Sequence, residues 1–389
     1  MPSYNSLIAI HIYPTTIQYE SRIFRMTEAL AERQDVQRIV IYGFPGEDLP
    51  AAERLNSKTE IHRVGRVSKG TGTLGKIWRF LGWYVAVTRS ARKISPNVVN
   101  CHSLSVFPVA WLVAMLNRAR LIYEPHELET ETATMHGKRK LVAKGLERAL
   151  IRSAELVLVV SESIAQAYRD EYKLHNVHVI KNAPPRMELS DVDRVSIISF
   201  RKLFDIPSDD IVFLYQGALE EGRGVRALLE AFSNGVGGRH IVFMGFGVLE
   251  NEIKSYANKV PNIHFHPAVP AKDVLRYTLG ADVGIAYLDR SCINHEYALP
   301  NKFFQYLHSG KPVLCTDLIE MGRIVSHYRV GWRMGTDVDS IRSSVNAITM
   351  DEIRRCSANV PKAVADLNWD AEKRKLNDIY DDFIRKHAR

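Results

Sequence analysis

Short apolar runs and amphipathic helical stretches alternate along almost the whole chain, and this order restricts the fold more than any other feature. Apolar runs fall at residues 6–12, 37–42, 59–63, 97–102, 120–124, 155–160 and 177–180, then at 211–216, 240–244, 263–266, 282–288, 312–316 and 330–333. Most are separated by helical sequence, for example 20–33, 74–95 and 138–152. Strands that alternate with helices pair in parallel, because the helix makes each return crossing. Asn182-Ala183-Pro184-Pro185 interrupts the pattern and reads as a linker. The expected organisation is α/β, with two doubly wound parallel-sheet domains at 1–185 and 186–365. A helical segment follows at 366–389, with Trp369, Leu376, Ile379, Tyr380 and Phe383 as its apolar stripe. Ligands of such sheets bind at the carboxyl ends of the strands, so the expected site is the cleft between the domains.

Two junctions in the second half carry chemistry. From Val283 to Leu288 the chain reads as a buried strand, 289–299 as a polar loop, and 300–310 as a short helix closed by Gly310. Pro300 suits a first helical turn, and Phe303, Phe304, Tyr306 and Leu307 form the apolar side. Asn301 and Lys302 lie at the helix mouth, where free N–H groups and a cation favour an anion. Earlier, the strand ending at Gln216 runs into Gly217, and Gly222-Arg223-Gly224 precedes the next helix. The glycines allow a sharp turn and close ligand approach, and Arg223 adds a second cation. A third turn, Met244-Gly245-Phe246-Gly247, is a weaker dinucleotide-type signal.

The segment PNKFFQYLHSGKPVL at 300–314 resembles the donor-sugar segment of retaining glycosyltransferases of family four, which have the GT-B fold. GALEEGRG at 217–224, PNVVNCHS at 96–103 and LIYEPHELE at 121–129 extend the resemblance over nearly the whole chain. It implies a GT-B enzyme that moves a sugar from a nucleotide-sugar to a glycan or lipid-linked acceptor with retention, in surface-polysaccharide or glycolipid assembly. It also implies that the last helix crosses back to the first domain. By the same resemblance Arg223, Lys302, His126 and Glu296 are the catalytic candidates. Gly217, Gly222, Gly224, Gly245, Val269, Pro300, Asn301, Phe303 and Gln305 are expected at the donor. Arg22, His102 and Glu127 are expected at the acceptor. The sequence departs from the family at several places: Gln305 replaces the second Glu of a Glu-x7-Glu pattern, Tyr297 stands eight residues earlier, Glu296 is one place off, and Ala218 replaces a basic residue. A glutamine offers the ribose a neutral hydrogen bond in place of a carboxylate. The N–H groups from Asn301 to Phe303 are expected to help hold the departing diphosphate. With no metal-ligand spacing in sequence, no metal or other cofactor is expected.

The chain carries a net charge of +8, and the excess is confined to the first half. Residues 1–187 hold 26 Lys and Arg against 17 Asp and Glu, with no acidic residue between Glu60 and Glu124. Such a field implies an anionic partner surface. In 74–95, Ile77, Phe80, Leu81, Tyr84, Thr88 and Ala91 are expected to face the core. Lys76, Arg79 and Trp83 would share another face, in the manner of a helix at a lipid surface. Lys138, Arg139, Lys140, Lys144 and Arg148 would extend the patch. A basic nucleic-acid-binding protein is the competing class, but no nucleic-acid motif occurs. A sugar-nucleotide epimerase of the same fold is the competing enzyme, and it requires an acid/base set not found here. The four scattered cysteines suggest a reducing compartment, and no signal peptide is apparent, so the expected location is cytoplasmic, at the inner face of the membrane.

Overall fold

The computed structural model describes residues 6–66, 72–186 and 197–386. The chain divides into two compact units, Met1–Ile180 with Lys373–Arg389, and Lys181–Glu372.

The first unit is built on an eight-stranded sheet: β1 (Leu7–Ile12), β2 (Val36–Gly43), β3 (Ala52–Arg54), β4 (Thr59–Arg63), β5 (Val98–Cys101), β6 (Arg120–Tyr123), β7 (Leu156–Val159) and β8 (Val177–Val179), in the order β3-β4-β2-β1-β5-β6-β7-β8. All pairs are parallel except β3 with β4, a short antiparallel edge that the alternation did not indicate. Its three residues, Ala-Glu-Arg, carry no apolar pattern. The chain leaves β1 in both directions, so the switch point lies between β1 and β5. The residues from Lys373 onward complete this unit. Leu376, Tyr380 and Phe383 are buried, Tyr380 donates to Asn100 Oδ1 at 3.1 Å, and Arg33 pairs with Asp381 at 2.7 Å.

The second unit has six parallel strands: β9 (Ile211–Ala218), β10 (Arg239–Phe246), β11 (Ile263–Pro267), β12 (Val283–Ala286), β13 (Val313–Thr316) and β14 (Gly331–Met334), in the order β11-β10-β9-β12-β13-β14. Its switch point lies between β9 and β12. One layer of the core holds Phe213, Tyr215, Phe232 and Phe243, and the other holds Leu214, Phe303, Phe304 and Tyr306. Close packing dictates two glycines here: a Cβ on Gly245 would lie 1.9 Å from the Gly217 carbonyl oxygen, and one on Gly224 would lie 2.2 Å from the Tyr287 ring.

The helix Thr73–Ile94 turns a different face to the sheet from the one expected. Trp83, Val87 and Ala91 are buried, and Trp83 Nε1 donates to the Gly43 carbonyl at 2.9 Å. Ile77 and Leu81, expected in the core, are 49% and 46% exposed. The helix is apolar on both sides, so periodicity alone did not decide which side packs. Lys140 and Lys144 are also corrected: both pair with Glu131, and Lys144 also with Glu171, so neither is a free surface cation.

Candidate functional site

In the second unit, most of the residues expected to hold the donor lie at or beyond the carboxyl ends of β9 and β12, while Gly245 is in β10 and Val269 follows β11. Gly217, Gly222 and Gly224 all have positive φ, at 114°, 73° and 76°, and shape the turn into the helix Val225–Ser233. Lys302 opens the helix Asn301–His308. Its side chain reaches back over β9, with Nζ 3.6 Å from the centre of the Tyr215 ring and Cε 3.7 Å from where a Gly217 Cβ would be. Lys302 is 8% exposed, and its Nζ has no hydrogen-bond partner. Burial, then the positive charge of Arg223, pulls its pKa well below the usual lysine range. A desolvated, unpartnered lysine nitrogen within reach of the Arg223 charge is an arrangement to which an anion would bring the missing counter-charge.

Several expectations change in detail. Pro300 is the N-cap, with ψ of 147°, one residue before the helix proper. Phe303 is fully buried in the core, and its N–H already donates to the Pro300 carbonyl at 3.0 Å, so it is not available to a phosphate. Asn301 is exposed at the mouth and its Oδ1 accepts from Asn182 at 2.8 Å. Gln305 is exposed, and its Oε1 accepts from Gln216 Nε2 at 2.8 Å. Gln216 in turn accepts from Thr278 at 2.9 Å, a relay that the sequence did not reveal. Glu296 lies in a helical turn, Ile293–Glu296, inside the expected loop, and pairs with Arg290 at 3.5 Å. Val269 is half-buried against the core. Asp289, absent from the sequence-based set, accepts from Ser291 and pairs with His295 at 2.8 Å beside Gly222.

In the first unit, the expected acceptor residues gather at the carboxyl ends of β1, β5 and β6. His102 and Arg22 are buried, at 0% and 4% exposure, and Arg22 Nη2 has no hydrogen-bond partner. They form an internal network. Arg22 Nε pairs with Glu124 at 2.7 Å, and its Nη1 donates to the Ile180 carbonyl at 2.6 Å. His102 lies between His11 Nδ1, at 2.8 Å, and His126 Nε2, at 3.2 Å. The protons follow from Asn100. Its Nδ2 sits 3.3 Å from His11 Nε2 and can only donate. The His11 proton is therefore on Nδ1 and goes to His102 Nε2; the His102 proton goes to His126 Nε2; the His126 proton is left on Nδ1. Burial keeps the chain neutral: it pushes His11 and His102 down to about 3, with His126 also well below its usual value.

His11 and Glu124 were missed in the sequence. The available signals were a lone imidazole inside an apolar strand and a carboxylate ending one. Tyr13 stands 5.2 Å from the His126 ring, and the exposed Glu127 follows it. Glu129 is pushed up to about 8 by burial while accepting from Leu104 N and Ser103. His102, Glu124 and His126 also bring three potential metal ligands within 4.8 Å of one another, a grouping that sequence spacing concealed. Glu124 Oε1 is held by Arg22 and the two imidazole nitrogens share a proton, while Glu124 Oε2 is buried without a hydrogen-bond partner, so a cation would displace the shared proton.

Two family models match the chain. Residues 20–183 match glycosyltransferase family 4, and residues 210–351 match glycosyl transferases group 1. The chain belongs to the family-four glycosyltransferases of GT-B fold. Solved structures agree on the fold. Sucrose-phosphate synthase from Thermosynechococcus elongatus superposes with a TM-score of 0.78 at 13% identity, over 98% of this chain and 100% of that one. Anabaena HepE in complex with UDP-glucose gives 0.70 at 12%, over 97% and 100%. WaaG, a glycosyltransferase involved in lipopolysaccharide biosynthesis, gives 0.65 at 14%, over 96% and 99%. No curated protein matches the sequence.

Proposed function

We propose that this glycosyltransferase moves a sugar from a nucleoside-diphosphate donor to a glycan or lipid-linked acceptor, with retention and without a metal, in surface-polysaccharide or glycolipid assembly at the inner face of a membrane. The observation that carries the donor reading is the buried, unpartnered ammonium of Lys302 beside Arg223. HepE, of the same fold, was solved with UDP-glucose, which supports a nucleotide-sugar donor. WaaG's part in lipopolysaccharide biosynthesis supports the setting.

As the bond from the sugar to the diphosphate breaks, negative charge grows on the leaving oxygens. Arg223, Lys302 and the N–H groups of Asn301 and Lys302 receive it, the work a divalent cation performs elsewhere. Gln305 contacts the ribose through its amide. Glu296, paired with Arg290, binds a sugar hydroxyl rather than attacking the anomeric carbon. In the acceptor half, the neutral chain through His11 and His102 fixes His126 as an Nδ1–H donor. Retention is supported by the family resemblance of 300–314.

The test is thermal unfolding with UDP-, GDP- and ADP-sugars, followed by NMR of the product anomer. One donor at a hundred times its dissociation constant should add about 2.7 kcal/mol of stability. If no nucleotide-sugar shifts the transition, the donor reading fails, and an inverted anomer overturns retention.

A further inference from the structure

A helix that covers a sheet ordinarily turns a charged or polar face to water. The helix Phe107–Asn117 does not. From Ser103 to Asn117 there is no charged residue, and its outward side chains include Trp111, Met115 and Leu116, the last two 53% and 41% exposed. Its neighbours repeat the anomaly. The helix Thr73–Ile94, packed on one side, exposes Trp78 to 71% together with Ile77, Leu81 and Val85. The helix Gly137–Leu150, packed on the other, exposes Leu141 and Val142 to 72% each and buries only Glu147. More than half of the exposed large apolar side chains among the described residues lie on these three helices. Single exposed apolar residues need no explanation, but a contiguous patch marks an interaction surface.

Basic residues accompany the patch. Lys138 and Arg139 lie one turn before Leu141 and Val142, on the same sides of their helix. Lys76 and Arg79 lie on the side of the first helix that carries Trp83, turned away from Trp78, with the Arg79 guanidinium 5.5 Å from the centre of the Phe44 ring. All four are exposed and have no carboxylate partner among the described residues. The acid-free stretch between Glu60 and Glu124 places no counter-charge on the first two helices.

We propose that this three-helix face seats the protein on an anionic lipid bilayer. The apolar side chains enter the upper acyl region, Lys138 and Arg139 contact lipid phosphates, and Lys76 and Arg79 add to the positive field around the face. The charge selects this occupant over a second copy of the chain. A symmetric dimer through the face would gather the cations of both copies around one interface. The proposal rests on the functional reading only in that a lipid-linked acceptor would be met at that surface.

The test is flotation with phosphatidylcholine vesicles, with and without phosphatidylglycerol, at low and high salt. Wild type should bind the anionic vesicles and leave the neutral ones. K76E/R79E/K138E/R139E should lower partitioning at least about tenfold. W78S/L141S should also lower it about tenfold and should abolish the binding that wild type retains at high salt. All these positions are exposed, so both variants should keep the donor-induced thermal shift. That shift reads the donor reading alone, and vesicle binding reads this face alone. Binding that ignores both variants, or is equal on neutral vesicles, overturns the proposal. So does a solution dimer that W78S/L141S dissociates, which would assign the face to a second copy.

Discussion

Lys302 Nζ lies 3.6 Å from the centre of the Tyr215 ring and has no other polar contact. A desolvated ammonium beside the Arg223 charge is unfavourable in the empty protein and becomes favourable once a dianionic diphosphate arrives. Lys302→Met should therefore separate stability from activity. Turnover should fall at least about a hundredfold. The donor-free protein should be stabilised by about 1 kcal/mol, or roughly 2–4 °C for a domain of this size. Calorimetry beside a transfer assay reads both, and loss of stability with the loss of activity would make the residue structural.

The same depressed pKa predicts proton uptake. The donor restores the charge on Lys302, so binding should take up a proton between the lowered pKa and the ordinary lysine range, and affinity should fall as pH rises through that window. The sign for the empty protein is opposite: the unfolded chain holds the proton and the native one does not, so stability should rise with pH there. Titration calorimetry in two buffers of different ionisation enthalpy gives the proton count, and a count of zero would contradict the assignment.

Gln305→Glu tests the departure at the ribose. Gln216 Nε2 donates to Oε1 of Gln305, and a carboxylate can accept the same bond. Activity should be retained or raised, and stability should change by less than about 0.5 kcal/mol. A collapse of donor binding would mean that the ribose needs the amide as a donor.

In the first unit, Arg22→Met should cost about 3–5 kcal/mol, because it strands the buried Glu124 carboxylate. Adding Glu124→Gln should recover part of that loss. Denaturant titration of the two single variants and the double variant measures the coupling, and simple additivity would exclude it.

Activity should persist in excess EDTA, and metal analysis of the dialysed protein should find less than one equivalent. A stoichiometric ion, lost together with activity in His126→Ala, would move the metal reading to His102, Glu124 and His126.

Every strand except β3 was legible because each is a short, largely apolar run bounded by turn residues. The placement of Gly217, Arg223 and Lys302 at strand-to-helix junctions was legible because such a junction has its own local chemistry. Trp83 was not, since the helix 73–94 has apolar residues all round and its packed face is chosen by Gly43, forty residues away. The His11–His102–His126 chain was hidden for a different reason: its members meet only where β1, β5 and β6 end side by side, so no spacing along the chain encodes it. Phe303 shows the limit of motif reading. A helix mouth has several N–H groups, and only the structure tells that Pro300 has taken that one.

The tie between Tyr380 and Asn100 has a consequence for synthesis. In chain order the second unit is an insertion into the first, whose closing residues begin at Lys373. On a ribosome the eight-stranded sheet would emerge early, with Asn100 lacking its phenol partner until the final helix appears. At ordinary elongation rates that delay is on the order of ten seconds or more. The unit made first is thus the one completed last, and a chain truncated before residue 373 should release a finished second unit attached to an unfinished first one.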